Sequence, residues 1–154
     1  MFYNVTMTET DYMQLAIEEA KKAAEAGEVP VGAVVVFRDE IIGKGRNTRE
    51  NDLDISGHAE IKALQMASKA LGRWSLEGCR LYVTLEPCLM CAGAILQSRV
   101  SSLCFGAKDA KEGAIVSKHH VYDGEKDAPL LSFGVAEEAC AELLTAFFSK
   151  QRNR

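Results

Sequence analysis

Arg80-Leu81-Tyr82-Val83-Thr84-Leu85-Glu86-Pro87-Cys88-Leu89-Met90-Cys91-Ala92-Gly93-Ala94 changes character at its midpoint. Residues 80–85 are rich in apolar, aromatic and β-branched side chains, the composition of a strand. Pro87 then suits a first helical position, since its fixed φ is preorganised and it has no N–H to leave unpaired. The helix it opens runs through Cys91, Ala94, Ile95 and Ser98. A strand that feeds straight into a helix is the unit of a layered α/β fold.

The same alternation extends in both directions. Towards the C-terminus, Ser101 to Gly106 reads as a strand and Leu130 to Val135 as a further one. Ala136 to Lys150 closes as a helix, with Cys140, Leu143, Leu144, Phe147 and Phe148 as its apolar face. Towards the N-terminus, His58 to Leu71 carries Ile61, Leu64 and Ala67 at helical spacing and stops at Gly72. Asn47 to Ser56 is polar and irregular, so a loop. Val31 to Phe37 and Glu40 to Arg46 form a hairpin about Arg38-Asp39. Thr8 to Ala26 is the first helix, opened by a capping-box pair, Thr8 and Asp11, and ended by Gly27. Strands joined through helices are expected to run parallel, covered on both faces.

A chain of 154 residues fits one domain, 1–154, with a core of useful size. No apolar run reaches membrane-spanning length. Met1 to Thr6 lacks the basic and apolar regions of a signal peptide, so a cytosolic location is expected. There the five cysteines stay reduced. Cys79, Cys104 and Cys140 sit singly among apolar residues and read as small buried hydrophobes. Trp74 is expected in the core. The net charge of −4 argues mildly against a large polyanion as partner, although a local basic patch can override it.

Two short segments carry chemistry: His58-Ala59-Glu60 and Pro87-Cys88-Leu89-Met90-Cys91. Cys88 and Cys91 share one helix face. With His58 they offer two thiolates and one imidazole, the three protein ligands of a catalytic zinc site whose fourth position is left to water. Helix N-termini aimed at the metal favour ionised thiolates. Glu60 sits two residues past His58, within reach of a water whose pKa zinc lowers towards ~7. The pair Cys88 and Cys91 alone would equally suit a redox motif or half of a four-ligand structural site. No thioredoxin-like context supports the first. His119 and His120 lack a partner at finger spacing for the second. The joint pattern is the signature of zinc nucleobase deaminases, a class for which the signature is already known.

At these residues the chain resembles the cytidine-deaminase superfamily, and within it the bacterial tRNA adenosine deaminases. The likeness covers nearly the whole chain. It rests on Glu28-Val29-Pro30-Val31-Gly32-Ala33-Val34, Asn47 after Gly45-Arg46, His58-Ala59-Glu60, the segment 81–94 and Phe105-Gly106-Ala107-Lys108-Asp109-Ala110-Lys111, with Phe147-Phe148 near the end. The resemblance implies a three-layer α/β/α sandwich with a mixed five-stranded sheet. It implies one Zn2+ per chain on His58, Cys88 and Cys91, Glu60 as the catalytic proton shuttle, and a homodimer. By the same likeness Asn47 hydrogen-bonds the substrate and Val31 lines the base pocket. Ala59 and Glu86 offer backbone groups, and Pro87 packs nearby. Asp109 meets a neighbouring sugar, and Phe148 shapes an RNA surface. Asn47 and Asp109 also have plain capping readings. The implied activity is deamination of adenosine to inosine at the wobble position of a tRNA anticodon loop. The alternatives are a deaminase of a free base or nucleoside, guanine or cytosine, and a zinc-stabilised binding module without activity. Arg46, Arg49, Lys108, Lys111, Lys118, Lys150 and Arg152 are the expected phosphate contacts at one rim. One departure stands out. After Gly113-Ala114, where the family usually has a small-residue turn and a Leu-bearing helix, the chain reads Ile115-Val116-Ser117-Lys118-His119-His120-Val121-Tyr122, a segment expected beside the pocket.

Overall fold

A computed structural model describes residues 6–152. Residues 1–5 of the stretch read for a signal peptide, and Arg154, lie outside the described residues. The elements are α1 (Glu9–Glu25), β1 (Gly32–Phe37), β2 (Glu40–Arg46), α2 (Arg49–Asp52), α3 (Ala59–Leu71), β3 (Cys79–Leu85), α4 (Leu89–Ser98), β4 (Ser102–Ala107), β5 (Leu130–Phe133) and α5 (Glu137–Arg152). Among the described residues no helix is long and apolar enough to cross a membrane.

Local chemistry sets most boundaries. The Thr8 hydroxyl accepts from Asp11 N–H, and the Asp11 carboxylate accepts from Thr8 N–H, the capping box read from the sequence. Arg38 and Asp39 take φ of 50° and 64°, the left-handed pair that a two-residue hairpin turn needs. Gly72 ends α3 in the same region, at φ 69°.

The sheet order is β2-β1-β3-β4-β5. β1 pairs antiparallel with β2 and β3, while β3-β4 and β4-β5 are parallel. This is the mixed five-stranded sheet that was expected. Alternate residues serve opposite faces, as the pleat requires. Ala33, Val35, Leu81, Val83, Leu103 and Phe105 join the core under α3 and α4. Val34, Val36, Tyr82 and Cys104 join Tyr12, Met13, Ala16 and Ile17 of α1 and Cys140 of α5. The result is three layers, α/β/α. Cys79, Cys104 and Cys140 are buried as expected.

Four expectations need correction. The loop 47–56 contains the short helix α2, which is too brief to leave a periodic signal. Pro87 does not open α4. Cys88 is its N-cap, with extended backbone, and the helix begins at Leu89. Trp74 is 68% exposed, because the chain turns outward after Gly72 and Leu76 fills the core instead. On α5 only Cys140 is buried and Leu143 packs beside it, whereas Phe148 is exposed.

α3 lies unusually close to the edge strand β2. A Cβ added at Gly43 would stand 2.3 Å from the Ala63 carbonyl oxygen, and one at Gly45 would stand 2.1 Å from that of Ala59. Glycine at both positions lets α3 settle on the strand. Gly45→Ala should therefore lower folding stability by about 1–3 kcal/mol through overpacking. Gly93→Ala, in a helix with nothing within 4 Å of the added Cβ, should instead raise stability by about 0.5–1 kcal/mol. Denaturant unfolding of the two variants checks both signs.

Candidate active site

The first turns of α3 and α4 meet at one point. His58 is the N-cap of α3 and Cys88 the N-cap of α4. An N-cap side chain ordinarily folds back onto the N–H groups of its own helix. Neither side chain makes such a cap bond, so both are free to face each other. Cys91 is the third residue of α4. N-cap and third residue are the spacing at which a capping box brings two side chains together. Here it brings two sulfurs together.

His58 Nδ1 lies 3.3 Å from Cys91 Sγ and 3.6 Å from Cys88 Sγ. All three ligand atoms fall within 4.8 Å of one another, the one such His, Cys, Asp and Glu group found among the described residues. Tetrahedral zinc with nitrogen at ~2.0 Å and sulfur at ~2.3 Å places those atoms roughly 3.5 Å apart. The donor set and its spacing fit a metal ion of that type.

The three groups share their protons unevenly. Hydrogen bonding from Cys91, and then from His58, holds the Cys88 thiol down at about 4 against the opposing effect of burial. The same bond to Cys88, together with burial, pushes the Cys91 thiol well up. One sulfur holds the proton that the other has lost. His58 is raised, first by its hydrogen bond with Cys88, so it favours its charged form.

Glu60, in the first turn of α3, is 4% exposed. Burial pushes its carboxyl up to about 7. A group with its pKa near neutrality both takes and gives a proton at low cost.

A cavity of about 370 Å³ opens onto this cluster. Val31, Asn47, His58, Glu60, Glu86, Cys88 and Asp109 line it. Cys91 is buried behind it. Ala59, Pro87 and Phe148 are not among the lining residues. Ala59 N–H donates to Asn47 Oδ1 at 3.0 Å, so Asn47 caps α3 from outside while also facing the cavity. Asp109 does both jobs too, since its Oδ1 accepts from Lys111 and Glu112 N–H at 3.0 and 3.2 Å. Phe148 shares a separate groove with Lys111, Gln151 and Arg152.

The expected basic rim is only partly assembled. Arg49 lines the cavity. Arg46 does not, because strand alternation turns it to the α1 side, where it pairs with Glu19 at 3.2 Å. Lys108 sits over the Phe133 ring, 5.1 Å from its centroid.

Glu86 does more through its side chain than was expected of its backbone. Its carboxylate accepts from the N–H groups of Asp109, Ile115, Val116 and Ser117 and from the Ser117 hydroxyl. Burial alone would raise this carboxyl, but the hydrogen bonds outweigh it and hold the pKa below the ordinary value. The unusual segment after Gly113 is thus fastened to the residue that precedes Pro87 and Cys88. Gly113 is required there, since an added Cβ would stand 2.4 Å from the Glu86 carboxyl carbon. Farther along, the Tyr122 hydroxyl donates to the Ala92 carbonyl of α4 at 2.9 Å. Glu28, Arg49 and Glu112 also face the cavity. Glu28 had a signal, a lone acid in an otherwise apolar stretch beside Pro30.

Comparison with known proteins agrees with this geometry. The family described as MafB19-like deaminase matches residues 7–152. A tRNA-specific adenosine deaminase of Bacillus subtilis is 49% identical, over 93% of this chain and 90% of its own. One of Aquifex aeolicus is 45% identical, over 92% and 95%. A solved structure from work on A-to-I editing by tRNA:A34 deaminases superposes with a TM-score of 0.84 at 43% identity, covering 88% of this chain and 99% of the other. A guanine deaminase from Nitrosomonas europaea superposes with a TM-score of 0.82 at 25% identity, covering 95% and 87%. By sequence as well as by fold, this chain belongs to the MafB19-like deaminases of the cytidine-deaminase superfamily.

Proposed function

We propose that the chain is a zinc-dependent hydrolase that converts adenosine to inosine at the wobble position of a tRNA anticodon loop, through one deaminase domain over residues 1–154. The observation that carries the chemistry is Glu60, buried in the cavity wall two residues from His58. A purely structural metal site has no use for an acid there. The tRNA substrate is supported by relatives of that activity at 45–49% identity over nine-tenths of the chain. The guanine deaminase shares the fold at 25%.

His58, Cys88 and Cys91 would hold one zinc ion, which would supply Lewis-acid activation of a water. Glu60 accepts the proton of the water that adds to C6 of the purine. It delivers that proton to N1 of the ring, then takes the proton of the new C6 hydroxyl and gives it to the departing ammonia. C6–N breaks as C6=O forms, so one water is consumed and one ammonia released. Val31 walls the base and Asn47 keeps the far side polar. Glu86 lines the cavity, and Ala59 acts through Asn47, whose Oδ1 accepts its N–H. Asp109 meets the neighbouring sugar, and Phe148 with Lys111 and Arg152 offers an aromatic and cationic surface to the strand beyond. An anticodon loop gives up a base at low stacking cost. A cytoplasmic homodimer completes the reading, with Leu53 and Ile55, 91% and 80% exposed, among its available apolar surface.

Replacing any one of His58, Cys88 or Cys91 by Ala should reduce zinc from one ion per chain, as elemental analysis reads it. Glu60→Ala should keep its zinc and its fold while turnover falls by at least ~10²–10⁴-fold. Near-normal turnover by the zinc-loaded variant removes Glu60 from its role.

Salt should separate the substrates. Each phosphate contact on a single strand contributes a slope of about −0.7 in log affinity against log salt. Binding of an anticodon stem-loop should weaken steeply with salt, and Lys111→Ala should flatten that slope by about one such contact. Efficient, salt-insensitive release of ammonia from free guanine, cytosine or adenosine, with the stem-loop untouched, would replace the tRNA reading by the free-base one.

A further inference from the structure

Glu28 is a buried carboxylate, 2% exposed, with no ion pair among the described residues. Its two oxygens are spent on the backbone of a distant segment. Oε1 accepts from Glu50 N–H at 3.0 Å and Oε2 from Asn51 N–H at 2.7 Å. These are the second and third N–H groups of α2, the ones an N-cap side chain ordinarily satisfies. The local cap does not serve them. Thr48 makes no side-chain cap bond, and its hydroxyl is buried without a hydrogen-bond partner among the described residues. Glu28 is held in turn by its own N–H, which donates to the Ala23 carbonyl at the end of α1 at 2.9 Å.

The segment this reaches is largely closed on itself. Thr48 N–H donates to the Gly57 carbonyl at 2.9 Å, and Asp54 N–H to that of Arg49 at 3.1 Å. At its root, Asn47 N–H bonds the Val31 carbonyl at 3.3 Å. Around α2 the ties to the opposite wall are the two bonds to Glu28 and one from Asn51 Nδ2 to the Ala26 carbonyl at 2.9 Å. Val29 and Val31 line the cavity from the segment that carries Glu28, and Arg49 and Glu50 line it from the segment that Glu28 ties down.

We propose that Glu28 is a positioning residue for substrate, whose carboxylate fixes how far Arg49 and Glu50 stand from Val29 and so sets the width of the cavity mouth. The inference rests on the tRNA reading for its substrate, a base entering on a strand. Releasing the clamp loosens the mouth. The two side-chain hydrogen bonds of Glu28 run to α2 and none runs to α3 or α4, so Glu60, Cys88 and Cys91 stay where those helices hold them. Substrate capture therefore suffers more than the chemical step.

The test compares Glu28→Gln, Glu28→Asp and Asn51→Ala with the unaltered protein. The glutamine amide keeps one acceptor oxygen and sets an NH2 group against the second N–H. Aspartate keeps the charge and falls one methylene short. Asn51→Ala removes only the companion tie. Backbone amide exchange at Glu50 and Asn51, read without substrate, should accelerate in Glu28→Gln. Zinc content should stay at one ion. KM for an anticodon stem-loop should rise about tenfold, the scale of one lost hydrogen bond to a charged group, with kcat within about threefold. Glu28→Asp should fall between, and Asn51→Ala should show a smaller rise in KM. Faster exchange with unchanged KM overturns the proposal. So does a fall in kcat as large as the rise in KM, or loss of zinc in Glu28→Gln and Glu28→Asp alike. If Glu28→Gln fails to fold, Glu28→Asp and Asn51→Ala decide by the same criteria. Failure of the tRNA reading shows separately, in the unaltered protein, which would then leave the stem-loop untouched; the variants are compared on whichever substrate that protein turns over.

Discussion

Two thiols and an imidazole crowded within 4.8 Å cannot all take their metal-binding forms unaided. Two thiolates side by side repel, and burial penalises each of them. The proton distribution records that conflict. Cys88 gives up its proton near pH 4, while Cys91 is pushed the other way by the same contact. A divalent cation relieves both at once. The N-termini of α3 and α4 converge on the same point and favour negative charge there. The layered fold can be understood as the scaffold that holds these two helix ends together against their ligands' repulsion.

Holding them requires close packing elsewhere. α3 is seated by glycines on β2, where any Cβ would strike its backbone, and its buried face is Ala59, Ala63 and Ala67. Small residues on both sides bring helix and strand within backbone contact. α4 is seated by β3, which delivers Glu86, Pro87 and Cys88 in succession, and by Tyr122, which reaches back to the Ala92 carbonyl. The segment after Gly113 is therefore a brace behind α4. Its anchor, Glu86, binds four backbone N–H groups without any cation. Charge-assisted bonds of this kind are stronger than neutral ones, and losing the acceptor would strand several donors in the interior.

What was legible in the sequence was periodic or compositional. The strands and the helices of ten or more residues left apolar repeats. The ligand triad left a fixed spacing, because N-cap and third-residue geometry is local. What was not legible depended on partners far along the chain. α2 is four residues long and is capped from Glu28 rather than from Thr48, so nothing near it announces a helix. Trp74 looked like core because it is large and aromatic, and only the turn at Gly72 decides otherwise. α5 has an apolar face that is longer than the surface available to cover it. Arg46 and Asn47 adjoin in sequence but face opposite sides, which follows from the pleat once the strand's end is known. Asn47 and Asp109 show that a capping side chain can also face the cavity. The same side chains fix the backbone and line the cavity.

The negative charge of the chain looks at first like an obstacle to RNA, yet its placement helps. Glu28, Glu60, Glu86, Asp109 and Glu112 all face the cavity, and Arg49 is the only Lys or Arg among its lining residues. Such a cavity is hostile to a phosphate. It is not hostile to a neutral base. Glu28 and Glu86 have their oxygens turned to backbone N–H groups, and burial raises Glu60 to about 7, which blunts the interior charge. The cations that could meet phosphates stand outside, at Arg49 on the mouth and at Lys111 and Arg152 beside Phe148. This division of charge suits a neutral group inside the cavity and anionic groups at its rim.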